Sequence, residues 1–111
     1  MNQSDQKLLK IPNSKKVGMD YDIFEFTWKN YDQKDWVKAP ERKEAIYFIM
    51  GITDYTFGEV IKQCNIRKLS IQDQHEYTVM IDNVSSDLTM SFYEYAKEID
   101  GTHYIASTAF Y

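Results

Sequence analysis

Two glutamates sit between aromatic side chains in a phrase that the chain uses twice, IFEF at residues 23–26 around Glu25 and FYEY at residues 92–95 around Glu94. Two carboxylates in an aromatic cavity are an arrangement in which desolvation raises a pKa and yields one acid and one base, the chemistry of hydrolysis or isomerisation. His103, just after Asp100 and Gly101, would add a third titratable group. Glu25, Glu94 and His103 are therefore the catalytic candidates. Strand alternation alone predicts a plainer outcome, with each glutamate facing water and its aromatic neighbours facing inward.

The remaining reactive residues point to no further chemistry. Asp73 and His75 flank one expected turn, but a metal site needs three or four ligands with supporting spacing, and HxxxH, HxH and CxxC patterns are missing from the sequence. Neither a metal nor a cofactor is expected. Cys64 has no recognisable activating neighbour and reads as buried filler. Serine lies in no GxSxG elbow, and the four glycines form no phosphate-cradling loop. The expectation leans away from an enzyme.

The elements that would position these groups read mostly as strands. MDYDIFEFTW, residues 19–28, alternates apolar and polar, with a change of phase between Ile23 and Phe24 that predicts a bulge or bend. LTMSFYEY, residues 88–95, shows the same alternation and the same flip, which suggests two strands bent at one level of a strongly curled or barrel-like sheet. Leu88, Phe92, Tyr95, Ala96 and Ile99 would also line one side of a helix. The Asp100-Gly101 pair favours a hairpin instead, with residues 102–110 as the last strand.

Residues 29–42 read as a long polar connector bearing Tyr31 and Trp36. Residues 43–52, with the apolar run AIYFIM, read as a buried strand. Thr56 with Glu59 matches a capping box and predicts a helix at about residues 56–65. IRKLSI and EYTVMID then read as a hairpin across QDQH. The expected fold is α+β: a mainly antiparallel sheet of about six strands with one clear helix. Residues 1–17, lysine-bearing and broken by Pro12, form a flexible arm, and residues 18–111 form a single domain.

Composition narrows the function classes. Apolar residues make up 43% and charged residues 27%, an ordinary globular balance. The lone cysteine cannot make an internal disulfide, so a reducing, cytoplasmic setting is expected. The first residues lack the apolar run of a secretory leader, and AIYFIM is far shorter than the roughly 18 residues of a membrane span, so no membrane partner is expected.

The net charge of −4 is unevenly placed. Residues 1–16 carry Lys7, Lys10, Lys15 and Lys16 against Asp5. Residues 17–36 and 82–111 are acidic, and each holds one copy of the repeated phrase. Such blocks repel a phosphate backbone, so direct nucleic-acid binding is disfavoured.

Aromatics reach 15%, with nine tyrosines, and Tyr and Trp concentrate binding energy at protein interfaces. The acidic candidates for partner binding are Asp20, Asp22, Glu25 and Glu94. The aromatic ones are Tyr21, Tyr31, Trp36, Tyr93 and Tyr95. These features suggest a non-catalytic inhibitor or immunity-type protein that blocks a basic surface of another protein. Two alternatives are a sheet cavity that holds a small molecule, acting through Glu25 and Glu94, and a structural homo-oligomer, such as a homodimer, paired through strand edges.

Overall fold

The computed structural model describes residues 21–80 and 89–108. In chain order the elements are β1 (Asp22–Trp28), β2 (Lys34–Ala39), α1 (Arg42–Thr53), α2 (Phe57–Gln63), β3 (Cys64–Lys68) and α3 (Ile71–Glu76). They continue with β4 (Thr78–Met80), β5 (Thr89–Ser91), α4 (Phe92–Glu98) and β6 (His103–Ser107). Four strands form an antiparallel sheet in the order β3-β1-β2-β6, and β4 pairs with β5 in a separate antiparallel ribbon. The α+β class and the antiparallel pairing are as expected. The curled or barrel-like shape is not, because the sheet is open, with β3 at one edge and β6 at the other.

Two-sided burial explains the phase change in β1. The strand pairs with β2 from Asp22 to Thr27 and with β3 from Phe24 to Trp28, with no register shift on either edge. Phe24, Phe26 and Trp28 point to one face, where they pack with Ala45, Ile46 and Ile49 of α1 and Val60 of α2. Ile23 points to the other face and packs with Trp36, Leu69, Phe92 and Ile105. An interior strand covered on both sides needs apolar residues in both phases, so Ile23 and Phe24 stand next to each other with no bulge between them. A register shift does occur elsewhere, between Trp36 and Val37 where β2 meets β6.

Among the described residues four helices stand where one was expected. α2 begins where the capping box places it: Thr56 Oγ1 accepts from the Glu59 N–H at 3.2 Å and a Glu59 carboxylate oxygen accepts from the Thr56 N–H at 2.8 Å. Residues 43–52 are helical rather than a strand. Ala45 and Ile46, and Ile49 one turn on, are buried, while Tyr47 of the same apolar run and Ile52 just beyond it are exposed. Asp54, in the left-handed region at φ 68°, ends α1.

The QDQH stretch is the body of α3, not a hairpin loop, and FYEY begins α4, not a second strand. The 29–42 connector contains β2, whose two neighbours are β1 and β6. The Asp100-Gly101 pair joins α4 to β6, and β6 pairs with β2 instead of with the segment before the turn; Gly101 takes φ 65°, a region open to glycine at no steric cost. The arm at residues 1–17 lies outside the described residues. Among the described residues no helix is long and apolar enough to cross a membrane.

Candidate functional site

Glu25 is 3% exposed, on the face of the sheet that α4 covers. Its cross-strand neighbours are Trp36 on β2 and Arg67 on β3. The Trp36 indole N–H donates to Oε1 at 3.1 Å. Arg67 forks across the carboxylate, with Nη2 donating to Oε1 and Nε to Oε2, both at 3.2 Å. The Thr27 hydroxyl lies 3.5 Å from Oε2, and the Lys34 ammonium 3.7 Å. Arg67 also donates to Asp73 at 3.2 Å and to the Tyr77 hydroxyl oxygen at 3.0 Å.

Burial by itself would raise the Glu25 pKa. The hydrogen bonds from Arg67 and Trp36, with the charges on Arg67 and Lys34, outweigh it and hold the carboxyl below its ordinary value. Hydrogen bonding to Glu25 pushes Arg67 the other way, above an already high value. The pair is thus a fixed anion on a fixed cation, whereas a general acid working near neutral pH needs a raised pKa. Glu94 occupies a different environment: it is exposed in the first turn of α4, and its backbone N–H donates to Ser91 Oγ at 3.1 Å.

Beside this network opens a cleft of about 380 Å³, lined by Lys34, Trp36, Tyr77, Thr78, Phe92, Ala106 and Thr108. Trp36, Tyr77 and Phe92 meet edge to face, with centroid separations of 5.3 to 6.1 Å.

A narrow crevice at another part of the same face is lined by Tyr21, Asp22, Ile23, Lys38, Gln74, Tyr93, Ala96 and Lys97. Three of the residues singled out from the sequence, Tyr21, Asp22 and Tyr93, therefore come together, with Glu94 and Tyr95 following on α4. Asp22 lies 4.0 Å from the Lys68 ammonium. Lys38 is fully buried beneath; its ammonium donates to the backbone oxygens of Ala96, at 2.7 Å, and of Ile99, and lies 4.7 Å from the Tyr21 ring centroid. It takes up carbonyls that the end of α4 leaves without helical partners. Burial lowers its pKa, and the charge of Asp100 opposes that shift.

The other candidates are dispersed. Tyr31 is exposed in the β1–β2 turn and stacks on Trp28 at 5.6 Å. Trp36 is buried, not exposed as its place in a polar connector implied. His103 is exposed at the start of β6, with Nδ1 2.7 Å from the Tyr104 carbonyl oxygen. His75 lies on α3, its ring stacked 4.2 Å from Tyr93. Asp20 lies outside the described residues. Cys64 is buried, and desolvation pushes its thiol up to about 12. Among the described residues no group of three or more His, Cys, Asp or Glu side chains is placed to hold a metal ion.

One polar cluster went unread in the sequence. Asp35, buried on the opposite face, accepts from the Trp28 indole at 2.7 Å, from Gln33 at 2.9 Å and from the Tyr104 hydroxyl, tying β1, β2 and β6 together. Burial, reinforced by the bond to Asp35, raises the Tyr104 pKa. Its members span residues 28 to 104, too far apart for local spacing to reveal them. No family model matches the chain, and no curated protein and no solved structure matches it either.

Proposed function

We propose that this chain is a cytoplasmic binding module without catalytic activity, acting as an inhibitor or immunity-type protein that covers a basic surface of another protein. The observation that carries the reading is the meeting of Tyr21 and Asp22 with Tyr93 around one crevice. On α4 beside them, Glu94 and Glu98 are exposed, with Asp100 just beyond the helix end. The crevice is too narrow for more than about one water molecule. A shallow tyrosine surface with carboxylates around it suits a protein face rather than a buried small ligand, because Tyr supplies contact area and the charges steer a basic partner. Glu25 belongs to the framework under this surface, since its charge is already matched by Arg67.

The test is capture of a binding protein from a lysate with the tagged full chain, in the presence of nuclease, followed by the same capture with Tyr93→Ala and Glu94→Lys variants. One stoichiometric protein that survives nuclease, is lost with the variants and is released by salt supports the proposal. A captured protein that both variants retain equally would rule out this surface.

The cleft beside Trp36 favours a second reading, a small-molecule binding module. Its volume falls within the range of about 300–1,000 Å³ typical of ligand pockets, and its wall is aromatic with a few polar groups.

A further inference from the structure

We propose that the cleft beside Trp36 takes a small aromatic carboxylate, its ring against Trp36, Tyr77 and Phe92 and its carboxylate on the Lys34 ammonium. The inference rests on the small-molecule reading of that cleft and adds the chemical class of the ligand.

The ring is recognised by the wall. Trp36 meets Tyr77 at an interplanar angle of 80° and Phe92 at 68°, while Tyr77 and Phe92 meet at 84°. Tyr77 is half-buried, whereas Trp36 is 9% and Phe92 2% exposed, so Tyr77 supplies most of the ring surface open to the cleft. An incoming ring therefore finds an offset-stacked or edge-to-face contact with Tyr77, the geometries that aromatic pairs prefer. Trp36 itself is held still by its indole bond to Glu25, so the wall is ordered before anything binds.

The charge is recognised by Lys34. Among the described residues it is the one charged side chain that lines the cleft. The Glu25 side chain beneath it is 4% exposed and already forked by Arg67, and Asp73 also bonds Arg67, so neither carboxylate is turned to the ligand. The Lys34 ammonium stands 3.7 Å from Glu25 Oε2, an ionic contact longer than a hydrogen bond, and its side chain is 46% exposed. Its donors are thus available to a carboxylate in the cleft. Thr108 accepts from the Lys34 backbone N–H at 2.9 Å, which leaves its own hydroxyl hydrogen to donate, and Thr78 adds a second hydroxyl to the lining. Positive charge, two hydroxyls and an aromatic wall suit an aromatic acid better than an amine or an aliphatic anion.

The experiment is an amide and indole N–H NMR titration of the full chain with phenylacetate. Phenylacetamide removes the charge, benzylamine reverses it, and acetate lacks the ring. Phenylacetate should shift the Trp36 indole and the Thr78 and Thr108 amides saturably, leaving the Trp28 indole on the opposite face unmoved. Phenylacetamide and Lys34→Met should each weaken binding about threefold to fivefold, the worth of an exposed ion pair, and Lys34→Arg should restore it. Equal binding of benzylamine, or no loss in Lys34→Met with its spectrum still dispersed, overturns the ligand class while the cleft remains a small-molecule site. If no ring-bearing probe moves the Trp36 indole, the ligand class and the small-molecule reading fall together.

Discussion

The Glu25–Arg67 pair predicts an asymmetry between its two halves. Arg67→Met leaves a carboxylate that is 3% exposed with the Trp36 indole and a lysine at 3.7 Å as its remaining strong partners. Orphaning one member of a buried pair costs about 3–5 kcal/mol, and the surviving partners reduce this to about 2–3 kcal/mol here. Glu25→Gln instead strands Arg67, whose side chain is 51% exposed and keeps Asp73 and Tyr77, so water and those partners satisfy it at a cost of about 1 kcal/mol.

The two variants also differ with pH. In the wild type the folded pKa of Glu25 lies below the unfolded value of about 4.3. Its contribution to stability is therefore complete above that value and is lost as pH falls through the folded pKa. In Arg67→Met, burial has lost its main opponent and the folded pKa rises above the unfolded one. The charged carboxylate is then a cost at neutral pH that fades with acidification. Both effects shrink the Arg67→Met penalty between pH 7 and pH 4, to about 1 kcal/mol. Urea unfolding followed by tryptophan fluorescence at the two pH values measures it. A Glu25→Gln cost equal to that of Arg67→Met, or an Arg67→Met penalty that does not change with pH, would refute this account of the pair.

Two further outcomes follow from the caps and the core. Ser91→Ala removes the oxygen that accepts from the Glu94 N–H at the start of α4 and should cost about 1 kcal/mol in urea unfolding, whereas Ser91→Asp keeps an acceptor and should stay near wild type; equal losses would show that the cap is not the cause. Cys64, buried and with its thiol pushed up to about 12, should resist alkylation at pH 8 in the folded protein and react at the unfolded rate in urea, and rapid labelling without denaturant would contradict its burial.

Local signals were readable wherever one residue type acts on the next turn. Thr56 and Glu59 announce α2 because a side-chain oxygen three residues before a free N–H closes a cap whatever the rest of the chain does. The same spacing stands at Ser70 with Asp73 and at Ser91 with Glu94, where Ser70 Oγ accepts at 3.0 Å and Ser91 Oγ at 3.1 Å. Those two caps were the available signals for α3 and α4. They were outweighed by alternating patterns around them, which a chain of short strands and short helices produces in both.

The amino-acid order by itself determined the α+β class with mainly antiparallel strands, from its residue patterns, and the α2 cap, which is set by interactions within a few residues. The tertiary structure decided which side chains face protein on both sides. Ile23 beside Phe24 reads as a bulge until helices cover both faces of β1, and residues 43–52 read as a strand until Tyr47 and Ile52 prove to be exposed. It also decided the charge state of Glu25. Arg67 is 42 residues away along the chain and becomes its neighbour only when β3 pairs with β1, because a carboxylate's pKa answers to distance in space and not to distance in sequence.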